Sequence, residues 1–378
     1  MTETILTNAQ LIQRDRVMHG TLVIRDGQIA EISETRSHAP GAADLDGDYL
    51  MPGVVDVHTD NLERQVQPRQ NARWPSLSAL LSHDAQTAAA GVTTVLDALC
   101  LGDLGFDVER IKTFQDGMRD INAMDGTGLL KSEHFLHLRC EMPAVDVIEL
   151  VEPVAHHKLV RMASFMDHSP GIGQYADMER YRKLRRKMGH TEAEIDSRIE
   201  KLHAQRARYR TPNRHALLAI FKDRDIALAS HDDETIENIA ENVADGIMIS
   251  EFPVTMAAAK AAHESGMTVI AGAPNIVRGG SHSGNVSAAD LVRAGVVDAL
   301  ASDYVPAALI EAAFLAFERS MASLPEAVAM VTDAPAKMAR LPDRGRIETG
   351  LRADLVRVRS FMAIPVVREV WREGLRIS

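Results

Sequence analysis

Val54-Val55-Asp56-Val57-His58-Thr59-Asp60 is a short apolar run that ends in metal-capable side chains. Pro52-Gly53 sets its start, and the polar segment Asn61-Leu62-Glu63-Arg64 follows it. Side chains at i and i+2 of a strand point the same way, so His58 and Asp60 converge just past its C-terminal end. That is the rim where a parallel α/β barrel keeps its chemistry.

Seven further runs of the same type follow: Thr93–Asp97, Leu136–Glu141, Val160–Asp167, Ile226–His231, Gly246–Glu251, Thr268–Ala273 and Val297–Asp303. Near-continuous apolar strands separated by helix-length segments imply parallel β/α units, and eight of them predict a closed (β/α)8 TIM-like barrel. A doubly wound open sheet is the alternative, but no G-x-G-x-x-G follows an early strand. The ends read differently. Asp26-Gly27 joins two β-prone runs as a hairpin, and 353–358 and 366–371 alternate like strands. Neither end is large enough to stand alone. They predict one small β-sandwich domain from 1–52 plus 344–378, with the barrel over 53–343. Residues 172–224 break the rhythm and predict a helical pair over the barrel mouth. Its basic run (Arg180, Arg182, Lys183, Arg185, Arg186, Lys187, then Arg206, Arg208, Arg210 and Arg214) is either a solvated helix face or a lid of cations for an anionic substrate.

Composition bounds the function. The chain has 378 residues, 46% hydrophobic and 25% charged, with a net charge of −11. That balance argues against non-specific nucleic-acid binding. No apolar run is long enough to span a membrane, and the start carries no secretory pattern. Two cysteines, Cys100 and Cys140, form no disulfide framework and suit a cytoplasmic protein.

Five of the eight runs finish in metal-capable residues: His58 and Asp60, then Glu141, Asp167-His168, His231-Asp232-Asp233 and Asp303. Imidazoles and carboxylates suit Zn²⁺ first, with Mn²⁺ or Fe²⁺ as alternatives. Six candidate ligands (His58, Asp60, Glu141, His168, His231 and Asp303) exceed what one tetrahedral ion needs. Glu141 could bridge two ions about 3.5–4 Å apart that activate a water. Asp303 is the candidate for moving its proton. His83, in Ser82-His83-Asp84, is a candidate to support the site or touch substrate. After the seventh run, the stretch 272–285 combines glycines with Arg278, Ser281, His282, Ser283 and Asn285. Gly279 and Gly280 permit a positive-φ anion nest, and Arg278 would add a bidentate clamp. The other reading is an ordinary flexible loop.

With these blocks in view, the sequence resembles the amidohydrolase superfamily over essentially its whole length. The likeness includes Met51-Pro52-Gly53-Val54-Val55-Asp56-Val57-His58, Ser302-Asp303 and Gly350-Leu351-Arg352-Ala353-Asp354-Leu355-Val356. His58-Thr59-Asp60-Asn61-Leu62, Ser82-His83-Asp84-Ala85, His137-Leu138-Arg139-Cys140-Glu141, Met166–Gly171, Ala229–Asp233 and the 272–285 stretch are similar to its phosphonate-metabolism diphosphatase branch. The resemblance implies a barrel plus a β-sandwich from both ends. It also implies hydrolysis of a phosphorus anhydride, turning a small ribose 5-triphosphate into the 5-phosphate and pyrophosphate. The sequence departs from the common pattern: H-x-D replaces H-x-H, and Glu141 stands in for the usual bridging lysine. The superfamily layout puts the two lone histidines on strands five and six, whereas the count here puts His168 and His231 on four and five. Hydrolysis of a cyclic amide or N-acyl C–N bond is the competing chemistry, and a metal-dependent scaffold in a larger assembly is the non-enzymatic reading. A homo-oligomer is compatible with all three.

Overall fold

The computed structural model describes residues 3–69, 72–102, 104, 108–281 and 284–378, apart from the side chain of Val108. One sheet has eight parallel strands in simple sequence order: β1 (Val54–Thr59), β2 (Val92–Leu101), β3 (Glu133–Glu141), β4 (Val160–Met166), β5 (Ala227–His231), β6 (Ile249–Glu251), β7 (Thr268–Gly272) and β8 (Ala299–Ala301). A parallel bridge between Thr59 and Asp303 joins the last strand to the first. All eight coincide with the apolar runs of the sequence. His168 and His231 therefore belong to strands four and five, and no strand was miscounted.

The strands read as apolar because both faces are covered. Every residue of β1 and β2 is buried. Side chains that point outward pack under helices such as Ser76–Ala89 and form one continuous core with Val57, Leu80, Leu99, Leu138 and Phe165. Alternate residues point into the barrel, where His137 accepts a buried position. Its Nδ1 donates to the Val57 carbonyl at 3.0 Å and its Nε2 meets the Ser164 hydroxyl at 2.9 Å. Burial pushes its pKa down to about 3, so it stays neutral.

The chain ends share a second eight-stranded sheet. Strands Glu3–Ile12, Val17–Arg25, Gln28–Ser33 and Tyr49–Pro52 join Leu355–Phe361 and Ile364–Arg372 through the antiparallel pairing of Leu355 with Pro52. The sheet curls until Ile29 reaches the tail, where Ile29 N donates to Leu351 O at 2.9 Å and Gly350 N to Ile29 O at 2.8 Å. Leu6, Leu22, Ile29, Leu50, Leu355 and Trp371 fill the space inside. Gly53 stands at the junction with the barrel. A Cβ there would lie 2.3 Å from Thr93 Oγ1, so only glycine lets the two sheets meet this closely.

The predicted insertion is helical. A short 3₁₀ turn, Gly173–Tyr175, precedes helices Met178–Lys187 and Glu192–Phe221. Thr191 caps the longer helix in a reciprocal capping box with Glu194. No helix among the described residues is long and apolar enough to cross a membrane.

Candidate metal centre and substrate cavity

A cavity of about 280 Å³ opens at the C-terminal ends of the strands. His58, Asp60, His168, His231, Asp232 and Asp303 line it, with Arg110, Arg139, Tyr175, Asn275, Asn285 and Tyr304 around them. A larger, more apolar groove of about 880 Å³ lies at the opposite ends of the strands, beside Ile226, Met248 and Thr268, and holds no histidine.

Among the side chains that line the cavity, two groups of three could each hold an ion. His58, Asp60 and Asp303 form one; His168, His231 and Asp232 form the other, and within each the candidate ligand atoms lie within 4.8 Å of one another. His58 and His231 form a third group with Glu251 behind them, and His83, Asp97 and His134 a fourth outside the cavity. The nearest nitrogen–oxygen separations are 3.6 Å for His58 Nε2 to Asp60 Oδ1, 3.6 Å for His168 Nε2 to Asp232 Oδ2 and 3.8 Å for His231 Nε2 to Asp232 Oδ2. These are too long for hydrogen bonds. They suit atoms that share an ion about 2.0–2.2 Å from each. His168 Nε2 and Asp232 Oδ2 are also buried with no hydrogen-bond partner among the described residues, a costly state that a cation would relieve. The donor set thus fits a divalent metal.

The backbone is shaped to aim these groups. Asp232, Phe252 and Asp303 all follow strand ends and all take positive φ, at 56°, 54° and 56°. Each keeps its N–H in the strand ladder (Asp303 N donates to His58 O at 3.0 Å, Asp232 N to Glu251 O at 2.9 Å). Left-handed backbone is uncommon outside glycine; aspartate tolerates it, and Phe252 bears the larger steric cost. Burial and the neighbouring Asp60 carboxylate hold the Asp303 carboxyl well above the usual carboxylate range.

Carboxylates behind the rings fix their orientation. Glu141 accepts from the backbone N–H of His168 at 2.9 Å and from its Nδ1 at 2.6 Å, so both oxygens already have partners. Glu251, fully buried at the end of β6, accepts from His58 Nδ1 at 2.8 Å and His231 Nδ1 at 2.7 Å. Glu251 and Arg110 are not among the residues singled out from the sequence, and Asp232, though metal-capable at the end of the fifth run, is not among the six candidate ligands. Glu251 ends a three-residue strand, and Asp232 has the wrong strand parity until its positive φ is known.

Other expectations fare unevenly. His83 is fully buried and does not line the cavity. Its Nε2 donates to Asp97 at 2.7 Å and its Nδ1 accepts from Asn61 at 2.9 Å, because helix Ser76–Ala89 covers the outside of the barrel wall. At that position it stands behind the cavity, held to Asn61, the neighbour of Asp60. The stretch after β7 is not a continuous glycine loop. Residues Ala273–Arg278 form a short helix, and Gly279, at φ 80°, caps its end. Ser281 and Asn285 line the cavity, whereas Gly279 and Gly280 do not. Arg278 is exposed and donates to the Tyr304 hydroxyl at 3.4 Å. His282 and Ser283 lie outside the described residues. From the insertion, Gln174 and Tyr175 reach the cavity. Much of the basic run pairs with acids instead: Arg182 with Glu192 and Asp196, Arg206 with Asp167, Arg210 with Glu241 and Arg214 with Asp245.

Comparison with known proteins follows the same lines. The amidohydrolase family profile matches residues 253–377. The α-D-ribose 1-methylphosphonate 5-triphosphate diphosphatase of Escherichia coli strain K12 is 42% identical over 376 residues, covering 99% of this chain and 100% of that one. Among solved structures, an Xaa-Pro dipeptidase with bound methionine superposes with a TM-score of 0.68 at 16% identity, covering 99% of each chain. The dihydropyrimidinase of Brevibacillus agri gives 0.65 at 12% identity, covering 99% of this chain and 95% of that one. These two likenesses speak to the fold alone. The chain belongs to the amidohydrolase family, in the group that includes the Escherichia coli diphosphatase.

Proposed function

We propose that this chain is a metal-dependent hydrolase that converts α-D-ribose 1-methylphosphonate 5-triphosphate to the 5-phosphate and pyrophosphate. The observation that carries this reading is the 42% identity to the diphosphatase along the full length of both chains. The site chemistry supports it, because ligand-type groups and arginines share one cavity.

His58, Asp60 and Asp303 would hold one divalent ion, and His168, His231 and Asp232 a second, zinc being the first choice for imidazole and carboxylate ligands. Such ions, when bound, supply charge neutralisation and a water acidic enough to ionise near neutral pH. Asp303, at the rim beside His58 and Asp60, takes the proton of the attacking water. Arg110 neutralises phosphate oxygens as charge builds on them, and Arg278, beside Tyr304 of the cavity wall, holds a phosphate oxygen of the bound substrate. Glu141 keeps the Nε2 of His168 facing the cavity; to bridge two ions it would have to release His168. The substrate is a small phosphorylated ribose rather than nucleic acid. The proposed location is the cytoplasm, where the free, buried Cys100 and Cys140 remain reduced. Residues 1–52 with 344–378 are taken as one domain, since Arg357 Nε donates to Asp48 at 2.6 Å across the two ends.

The test is phosphorus NMR of the purified protein with the 5-triphosphate substrate. Pyrophosphate and the 5-phosphate should appear in equal amounts, stop on chelation and return with divalent metal. Asp303→Asn should slow turnover by about 10²-fold or more. Turnover of hydantoins or dihydropyrimidines without pyrophosphate release would reject the proposal.

A further inference from the structure

We infer that Glu251 is a positioning residue that ties the two ion sites together, so that they are built or lost as a pair. The inference rests on the two-ion reading above. The two oxygens of Glu251 are spent on imidazoles from different clusters: Oε1 on His58 at 2.8 Å and Oε2 on His231 at 2.7 Å. A carboxylate can only accept, so both Nδ1 atoms carry the proton. Both rings must then present the lone pair of Nε2 to the cavity, the form in which imidazole binds metal. The rings stand 5.8 Å apart, 19° from parallel, and Phe252 packs edge-on against both. Glu251 itself has no exposure to water, so its charge depends on the buried groups around it, and the two imidazoles are its nearest partners.

Glu141 provides the contrast. It fixes only His168, which sits in one cluster. One carboxylate therefore serves one ion site and the other serves both.

The amide variant sharpens this. In Glu251→Gln one oxygen still accepts from one imidazole, but the amide nitrogen must donate to the other. That second ring is forced to carry its proton on Nε2 and cannot ligate. Glu251→Gln should cost one site, and Glu251→Ala both.

The experiment titrates Co²⁺ into chelator-stripped protein and follows the visible absorption of bound cobalt, with metal content per chain measured after dialysis and the fold checked by circular dichroism. The wild-type chain should take two ions. Glu251→Ala should weaken both by about 10- to 100-fold. Glu251→Gln and Glu141→Gln should each weaken one. Two ions at wild-type affinity in the folded Glu251 variants would overturn the linkage while leaving the two-ion reading intact, and so would loss of only one ion in Glu251→Ala. A wild-type chain that takes one ion would overturn both. If the alanine variant fails to fold, the glutamine variant decides: a weakened site supports the linkage and two unaltered sites reject it.

Discussion

Arg139, on β3, reaches across the barrel mouth to Asp60 at the end of β1, its Nη1 lying 2.7 Å from Asp60 Oδ1. Both are largely enclosed, with side-chain exposures of 6% and 20%. Burial alone would push the Asp60 carboxyl up, but Arg139 and His58 outweigh it and hold the group ionised far below its ordinary pKa. This pairing matters most when no metal is bound, because Arg139 then provides the nearest cation. Arg139→Met should destabilise stripped protein by about 3 kcal/mol, the usual cost of leaving one member of an enclosed pair alone. In metal-loaded protein the loss should be clearly smaller, since the ion neutralises Asp60 instead. Melting temperatures of stripped and loaded protein check this. Equal losses in both forms would show that Arg139 does not compensate Asp60.

Behind the barrel wall, Asp97 accepts from His83 Nε2 and His134 Nδ1, both at 2.7 Å, and Asp84 accepts from His134 Nε2 at 3.2 Å. With both nitrogens donating, His134 is an imidazolium. Burial opposes its charge, but Asp97 and Asp84 lift its pKa from 6.5 to about 9. A pKa raised by folding gives stability that is complete below the unfolded value and lost as pH rises through about 9. Asp97 and Asp84 are both held below 3.8, so their contribution is complete above that value and lost as pH falls beneath it. The network is therefore strongest between about pH 4 and 6.5. Asp97→Asn should cost about 3 kcal/mol in that window, and less as pH rises past 9. Thermal melts of both proteins from pH 5 to 10 measure it, and a pH-independent difference would contradict the charge assignment.

What the sequence made legible follows from how local each signal is. The eight strands could be read because strands covered on both faces need apolar residues at every position, as in β2. His58, Asp60, His168, His231 and Asp303 could be read because each lies at a strand end. Glu251 could not, because a carboxylate that anchors two rings looks the same in sequence as one that faces water. Which of its two candidate roles His83 takes could not be read, because its helix packs outside the barrel, a fact of tertiary contact rather than of spacing. The stretch after β7 misled because its glycines read as a nest, whereas Pro274 stands in the first turn of a helix and Gly279 ends it.

The two readings of the basic insertion make different predictions. Arg182 pairs with Glu192 and Asp196, and Arg186 with Glu179 and Glu192, on the outer surface of the helical pair. Exposed pairs of this sort contribute little, because water and salt screen them. An Arg182→Ala, Arg186→Ala double variant should keep kcat/KM within about twofold and leave the melting temperature nearly unchanged. A tenfold rise in KM would show instead that these cations meet the substrate.

Arg278 is placed differently. It sits in the last turn of helix Ala273–Arg278, exposed, and donates to the hydroxyl of Tyr304, a residue of the cavity wall. That hydrogen bond, at 3.4 Å, is near the limit of useful length, so little is lost when the guanidinium turns to a better acceptor. A phosphate oxygen is such an acceptor, and it would be held in the ground state as well as in the transition state. Removing a contact of this kind raises KM and leaves kcat nearly unchanged. A charged hydrogen bond contributes about 1.5–3 kcal/mol, which corresponds to a KM increase of roughly 10- to 150-fold in Arg278→Ala. Arg278→Lys should recover part of the loss, since the charge returns without the planar fork. Steady-state kinetics with the 5-triphosphate substrate distinguish the outcomes. A fall in kcat at constant KM would move Arg278 from substrate binding to the chemical step, and no change in either would remove it from the site.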